Sequence, residues 1–385
     1  MLELSPLSLY IHIPWCVRKC PYCDFNSHQA NGDVPETEYV KALVEDLHFE
    51  STRRNEQDKR PLRSIFFGGG TPSLFSARAI DSILNAAEKQ FGFANDIEIT
   101  LEANPGTAEA QRFKDYVSVG VNRLSIGIQS FADSKLKTLG RIHTSAEARH
   151  AIALCREAGI DNLNLDLMHG LPNQTLEEAI ADLDEAISFD PTHISWYQLT
   201  IEPNTEFHNK PPTLPDDSIA WEINNRGFEV LERAGYQRYE VSAFAKPEKQ
   251  SQHNMNYWQY GDYVGIGAGA HGKLSDSWQG QIVRNRKKKQ PNHYIEASAN
   301  REAERIEVAA GDRPFEYLLN SLRLTEGFNV SDFEKRTGVA FSSIAKQVEY
   351  LSAQELLAVS DNTVKTTARG YRVLNSVLEE FLEPS

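Results

Sequence analysis

LSLYIHIPWCVRKCPYCDF, residues 7–25, is a short apolar run that ends on three cysteines: Cys16, Cys20 and Cys23. The run has the β-branched, apolar composition of a strand. The chain holds only four cysteines, so three of them in one loop call for an explanation. Thiolate is the ligand form of cysteine, and thiolates from one loop can converge on a single metal centre. Structural zinc usually takes four protein ligands, so three leave one coordination position open. Asp24 is adjacent, but no histidine or aspartate stands two to four residues beyond the triplet as a clear fourth ligand. A 4Fe–4S cluster with one iron free for a small molecule fits the spacing better. The fourth cysteine, Cys155 in AIALCREAG, reads as a small core residue.

Beyond this loop the theme of strand, turn and helix repeats. Apolar runs at RSIFFGGGTP (63–72), DIEITLEANP (96–105), VNRLSIGIQS (121–130), NLNLDLMHGLP (162–172) and HISWYQLTIEP (193–203) alternate with helical patterns. The helical patterns include EYVKALVEDLHFE, ARAIDSILNAAEKQF, AEAQRFKDYVSVG, SAEARHAIALCREAG, LEEAIADLDEAISF and IAWEINNRGFEVLERAG. Six consecutive βα units predict an α/β fold with a parallel sheet and helices outside it. Chemically distinctive residues sit where the runs end: Cys16, Gly68 to Thr71, Glu102, Gln129, Asp166, His169 and Glu202. In βα barrels the loops at that end build the site. Six units fall short of a closed eight-stranded barrel, so a partial, open (βα)6 barrel with a cleft for a large ligand is expected. Residues 236–310 read as an extension of strands and a glycine-rich turn carrying HNMNYW (253–258). Residues 311–385 read as a small, mostly helical, winged-helix-like domain with a two-stranded wing. The expected domains are therefore 1–235, 236–310 and 311–385.

With 385 residues, 40% hydrophobic and 24% charged, the chain is long enough to bury a sizeable core. A net charge of -14 argues against a broad nucleic-acid surface. The basic run RNRKKK (284–289) reads as a solvated loop. The opening MLELSPLSLYIHIP lacks the basic and apolar regions of a signal peptide, and no apolar run approaches the ~20 residues that span a bilayer. A cytoplasmic protein without an integral membrane segment is expected, with peripheral docking left open.

C-x3-C-x-aromatic-C after the first strand, followed by GGGTP (68–72), resembles the radical S-adenosylmethionine superfamily. There the open iron of a 4Fe–4S cluster binds the amino and carboxylate groups of S-adenosylmethionine. YIHIPWC, GGGTPS, EANPG, GVNRLSIGIQSF, LGRIH and NLDLMHGLP extend the resemblance to the HemN/HemW group over most of the chain. The resemblance implies cluster ligands Cys16, Cys20 and Cys23. It implies S-adenosylmethionine contacts at Tyr10, Tyr22, Gly69, Gly70, Thr71, Glu102, Gln129, Arg141 and Asp166. The chemistry suits these roles: carboxylates accept from hydroxyl or ammonium groups, and a guanidinium pairs with a carboxylate.

One branch of the group is the oxygen-independent coproporphyrinogen III dehydrogenase; the other comprises haem chaperones. The dehydrogenase has a further cysteine where Phe25 stands here, and an extension ahead of the cluster loop; both differences favour the chaperone branch. HNMNYW matches the HNxxYW motif of that branch. The match implies haem contacts at His253, Tyr257 and Trp258, with His271 in GAGAHG as a further candidate, since neutral imidazole is a common axial ligand. The implied function is haem binding and delivery to haem-requiring respiratory proteins, not coproporphyrinogen dehydrogenation. The alternative is a radical oxidoreductase acting on a porphyrinogen-like substrate.

Overall fold

The computed structural model describes residues 1–30, 32–107, 110–298 and 300–382. Over the first 235 residues, parallel strands alternate with helices: β1 (Leu7–Ile13), α1 (Glu36–Thr52), β2 (Leu62–Gly69), α2 (Ala77–Phe91), β3 (Phe93–Ala103), α3 (Ala110–Ser118), β4 (Arg123–Gln129), α4 (Ser145–Glu157), β5 (Leu163–His169), α5 (Leu176–Ser188), β6 (His193–Gln198) and α6 (Asp217–Arg233). Ala108 and Glu109, which open the predicted third helix, lie outside the described residues. Helices α4 and α5 each start with a capping box, Thr144 with Glu147 and Thr175 with Glu178.

The extension contributes β7 (Gln237–Arg238), β8 (Ala243–Ala245), α7 (Gln252–Trp258), β9 (Asp262–Ile266), β10 (His271–Asp276), β11 (Gln281–Lys287) and β12 (Glu302–Glu307). One sheet runs β12-β11-β10-β9-β1-β2-β3-β4-β5-β6-β8-β7. Strand β9 pairs parallel with β1, so a seventh parallel strand joins the six predicted ones. The flanking strands at both ends are antiparallel, and the sheet does not close on itself.

The strands alternate in character. Leu7, Leu9, Ile11 and Ile13 of β1 are fully buried in one core with Ile65, Phe67, Leu101, Leu124, Ile126, Leu163, Leu165 and Ile194. Burying each such side chain contributes roughly 1.5–3 kcal/mol. Between them lie Ser8, His12, Ser64, Glu98, Thr100, Arg123, Ser125, Asn164 and His193, also buried but polar. A parallel sheet covered on both faces by apolar packing reads as continuous hydrophobic runs. Here one face meets the helices and the other lines the inside of the open barrel, so the pattern has a period of two.

RNRKKK departs from its expected solvated loop. Arg284, Arg286 and Lys287 fall on β11, where Arg284 pairs with Glu316, and Lys287 is fully buried between Asp46 and Glu50, 2.6 Å from each. A buried ammonium persists only with such partners.

In the C-terminal region a third short strand joins the predicted wing: β13 (Phe328–Asn329) pairs with β15 (Thr363–Thr366), which pairs with β14 (Leu357–Ser360). This region shares one apolar cluster with Leu2 and with Tyr260 and Ile282 of the extension. Among the described residues no helix is long and apolar enough to cross a membrane.

Candidate functional site

The loop after β1 is held by strand pairing and backbone hydrogen bonds. Trp15–Cys16 pairs with His28–Gln29, and the Cys23 N–H donates to the Cys20 carbonyl at 3.1 Å. The Phe207 N–H donates to the Pro21 carbonyl at 3.0 Å. Beyond the loop, the Asn26 amide donates to the Ala268 and Lys289 carbonyls at 2.8 and 2.9 Å, stapling it to the extension. The three loop thiols are free, and Cys155 is buried in the core as expected.

GGGTP lies against this loop. Gly70 N–H donates to Ile13 O and Thr71 N–H to Trp15 O, at 2.7 and 2.8 Å. A Cβ on Gly70 would stand 2.5 Å from the Trp15 carbonyl oxygen. On Gly69, where φ is +113°, it would stand 2.5 Å from the His12 ring. These glycines therefore serve first to let two strand ends meet, which leaves the Gly69–Thr71 segment facing the thiols.

Two adjoining cavities penetrate the barrel. One, about 480 Å³, is lined by Cys16, Cys20 and Cys23 together with Tyr22, Gly69, Gly70, Thr71, Glu102, Gln129, Arg141 and Asp166. Every predicted S-adenosylmethionine contact except Tyr10 thus meets the thiols in one space. Tyr10 lines the second cavity, about 630 Å³, whose boundary shares Cys23, Phe25, Gly69 and Glu102 with the first. His169 and Glu202 line neither; His169 is buried with its ring centroid 4.1 Å from that of Trp196.

Each polar side chain of the first cavity is held from behind. Arg141 donates to the Gly127 carbonyl at 2.7 Å and reaches Cys20 Sγ at 3.8 Å. Gln129 takes a left-handed backbone, φ 68°, and its side-chain oxygen accepts from the Tyr197 hydroxyl at 2.8 Å. Such a conformation in a non-glycine residue costs of order 1–3 kcal/mol and persists when its surroundings hold it. Asp166 accepts from Ser125 and Asn164, each at 2.8 Å; the Asn164 oxygen accepts in turn from Ser195 and His193. Glu102 accepts from Gly69 N–H at 3.2 Å.

Burial, reinforced by Asp166, raises the Glu102 carboxyl to about 8. Burial likewise raises Asp166, against its hydrogen bonds from Ser125, Asn164 and Ser195. Two carboxyl groups in one enclosed space favour a ligand carrying positive charge and hydrogen-bond donors. Burial also raises the Cys16 thiol, opposed by a hydrogen bond from Thr71.

The donor set suits a thiolate-held metal centre: three free thiols on one loop, an arginine beside one of them, and no competing disulfide. Among the described residues, no three His, Cys, Asp or Glu side chains already stand as a metal cage; the thiols share a lining.

HNMNYW forms α7, and it divides between roles. His253 is 1% exposed, its Nδ1 hydrogen-bonded to the Ser64 hydroxyl at 3.0 Å and its ring 5.1 Å from Phe66. Among the described residues its other ring nitrogen, Nε2, has no partner. It lines neither cavity, and burial lowers its pKa to about 3. Asn256 donates to Ser8 Oγ and the Asp262 carbonyl. Tyr257 faces the second cavity, whereas Asn254 and Trp258 face the first. The motif is thus a floor beneath both spaces, with no single pocket joining His253, Tyr257 and Trp258. His271 lines the second cavity.

Sequence reasoning missed Glu240 and Arg323, which join Trp258 in the lining of the first cavity. The Arg323 guanidinium lies 4.5 Å from the Trp258 ring centre and 3.9 Å from Glu240 Oε2. No local pattern joins residues so far apart in the chain. The inward polar set of Ser125, Asn164, His193 and Ser195 was also missed, although its signal, strict alternation along the strands, is present in the sequence.

Known proteins resemble this chain over most of its length. Residues 10–186 match the model of the Radical SAM superfamily, and residues 308–373 match the HemN C-terminal domain. The chain is 51% identical over 383 residues to the heme chaperone HemW of Haemophilus influenzae, covering 99% of each. It is 50% identical over 382 residues to the heme chaperone HemW of Escherichia coli, covering 99% of this chain and 100% of the relative. Among solved structures, coproporphyrinogen III oxidase (HemN) from Escherichia coli shares the fold, with a TM-score of 0.82 at 22% identity over 98% of this chain and 90% of that one. With full-length relatives at this identity, the chain belongs to the HemW family, within the HemN/HemW group of the radical SAM superfamily.

Proposed function

We propose that this protein is a cytoplasmic haem carrier that binds a 4Fe–4S cluster, S-adenosylmethionine and haem, and passes haem to respiratory haem proteins. The observation that carries the reading is the meeting of the three loop thiols with Tyr22, Gly69 to Thr71, Glu102, Gln129, Arg141 and Asp166 in one cavity, beside a second, larger cavity. Cys16, Cys20 and Cys23 would hold the cluster, which when bound would supply an open coordination position for the small molecule beside it. Glu102 and Asp166 accept from that molecule's ammonium and hydroxyl groups, Gln129 adds a neutral polar contact, and Arg141 pairs with its carboxylate. Tyr10 stands at the boundary with the second cavity, its hydroxyl donating to His12 Nδ1 at 2.9 Å. The His12 Nε2 faces the Asn26 carbonyl at 2.9 Å and donates to it, which fixes that direction.

Phe25 is 64% exposed and lines both cavities, at the position where the resemblance puts a further cysteine in the dehydrogenase branch. Its apolar ring supports cargo binding over dehydrogenase chemistry. The HemW names of the full-length relatives support the same choice.

The test is haem transfer from cluster-reconstituted protein to an apo-haem acceptor, with S-adenosylmethionine present and 5′-deoxyadenosine measured in parallel. Transfer without matching 5′-deoxyadenosine is expected, with iron and transfer both reduced in Cys20→Ser. A porphyrin product formed in proportion to 5′-deoxyadenosine, without transfer, would instead establish the oxidoreductase alternative. That alternative is favoured by one observation: every residue expected to contact S-adenosylmethionine, except Tyr10, lines the cavity that the thiols share.

A further inference from the structure

The second cavity mixes aromatic rings with ionisable side chains, the carboxylates Asp24 and Glu102 among them. Its volume, about 630 Å³, lies within the ~300–1,000 Å³ typical of small-molecule pockets. Tyr257 and Tyr263 contribute aromatic surface, their rings 4.5 Å apart and edge-to-face, and Phe25 adds an exposed ring at the lip. Lys19 and Lys289 stand on its border; Lys19 Nζ donates to the Phe25 carbonyl at 3.2 Å, and neither lysine forms an ion pair among the described residues. An ammonium has three N–H donors, so both retain donors for an anionic ligand.

The histidines around this space differ in what they can offer. His12 lines it, but both ring nitrogens are engaged, by the Tyr10 hydroxyl and the Asn26 carbonyl. His28 lies outside the lining, its Nε2 against the Asn26 side chain at 3.3 Å. His253 is sealed beneath the floor, against Ser64 and Phe66. His271 lines the cavity, and its ring makes no hydrogen bond or ion pair among the described residues. An iron ligand needs a neutral imidazole with an accessible lone pair. Partial burial and the nearby Arg286 and Lys289 lower the His271 pKa, which favours that form.

We infer that haem lies in this second cavity beside the cluster loop, with His271 on its iron and Lys19 and Lys289 paired to its propionates. The inference rests on the haem-carrying function proposed above and gives that function a site. It separates the two parts of the cargo apparatus: α7 supplies the floor through Tyr257, and the β9–β10 turn supplies the ligand. The Asn26 staple binds this turn to the cluster loop, so haem and cluster share one bracket. Gly269, at φ +81°, admits the staple, since a Cβ there would meet the Asn26 amide nitrogen at 2.4 Å.

The experiment is titration of hemin into the full-length protein, read by Soret absorbance, for wild type, His271→Ala, His253→Gln and the double variant Lys19→Ala/Lys289→Ala. Hemin dimethyl ester, whose propionates are capped, serves as a second probe. Wild type is expected to saturate, and His271→Ala to bind hemin about tenfold or more weakly with a shifted Soret band. The double lysine variant should lose affinity for hemin but match wild type with the ester. Saturable wild-type binding that His271→Ala leaves unchanged in affinity and spectrum overturns this site and leaves haem carriage standing. A Soret change in His253→Gln with none in His271→Ala also overturns it. Absence of saturable binding by wild type overturns haem carriage itself, and this site with it.

Discussion

At the scale of single residues, Glu102 shows how one side chain records its surroundings. Its pKa rises from 4.5 to about 8 because burial and then Asp166 disfavour the charged form, with Gly69 N–H acting the other way. A folded-state pKa above the unfolded value means that the folded chain holds the extra proton between the two. Its contribution to stability is therefore greatest below about pH 4.5, and falls as pH rises through that window to about 8. Thermal melts of ligand-free protein across the window should show this fall, and Glu102→Gln should lessen it. An identical pH profile in the variant would remove Glu102 as the source. The cysteines and Glu102 were legible in the sequence because short motifs mark the ends of strands. His253 was legible as a motif but not as a location, because the Ser64 and Phe66 that enclose it come from a distant strand. Lys287 likewise looked solvent-bound until Asp46 and Glu50 of α1 came to meet it.

At the scale of elements, packing overrides local preference. Gly227 sits inside α6, where glycine costs about 1 kcal/mol relative to alanine. A Cβ at that position would stand 1.8 Å from the buried Trp196 ring of β6. Overpacking of this kind costs typically 1–3 kcal/mol, so it outweighs the gain in helix propensity. Gly227→Ala should therefore lower the denaturant midpoint, and Trp196→Phe should relieve part of that loss in the double variant. A Gly227→Ala protein as stable as wild type would show that α6 can shift away from the sheet at little cost. The six βα units were readable from the alternation of runs and helical periods. Strand β9 was not assigned to the parallel set, because pairing with β1 depends on a return across the whole barrel. The wing's third strand, two residues long, carries too little pattern to show in sequence.

At the scale of the whole molecule, the C-terminal region is joined to the extension by specific bonds as well as apolar contact. Arg313, only 6% exposed, donates to the carbonyls of Val308, Gly280 and Thr337 at 3.2, 3.0 and 3.2 Å. Arg313→Ala leaves those acceptors short of a donor, at about 1–3 kcal/mol. Faster hydrogen exchange is expected in β13–β15 and the β10–β11 hairpin, with β1–β6 unchanged; uniform protection throughout would show that the apolar cluster alone holds the region. The barrel itself has divided its labour between faces. Leu9, Ile65, Leu124 and Leu165 secure it against the helices, while Ser64, Ser125, Asn164 and Ser195 face inward. Substitution on the inner side leaves the load-carrying side untouched, so such a frame can change what it holds over evolutionary time without first becoming a different frame. The 22% identity that accompanies a shared fold with coproporphyrinogen III oxidase is what that freedom would leave behind.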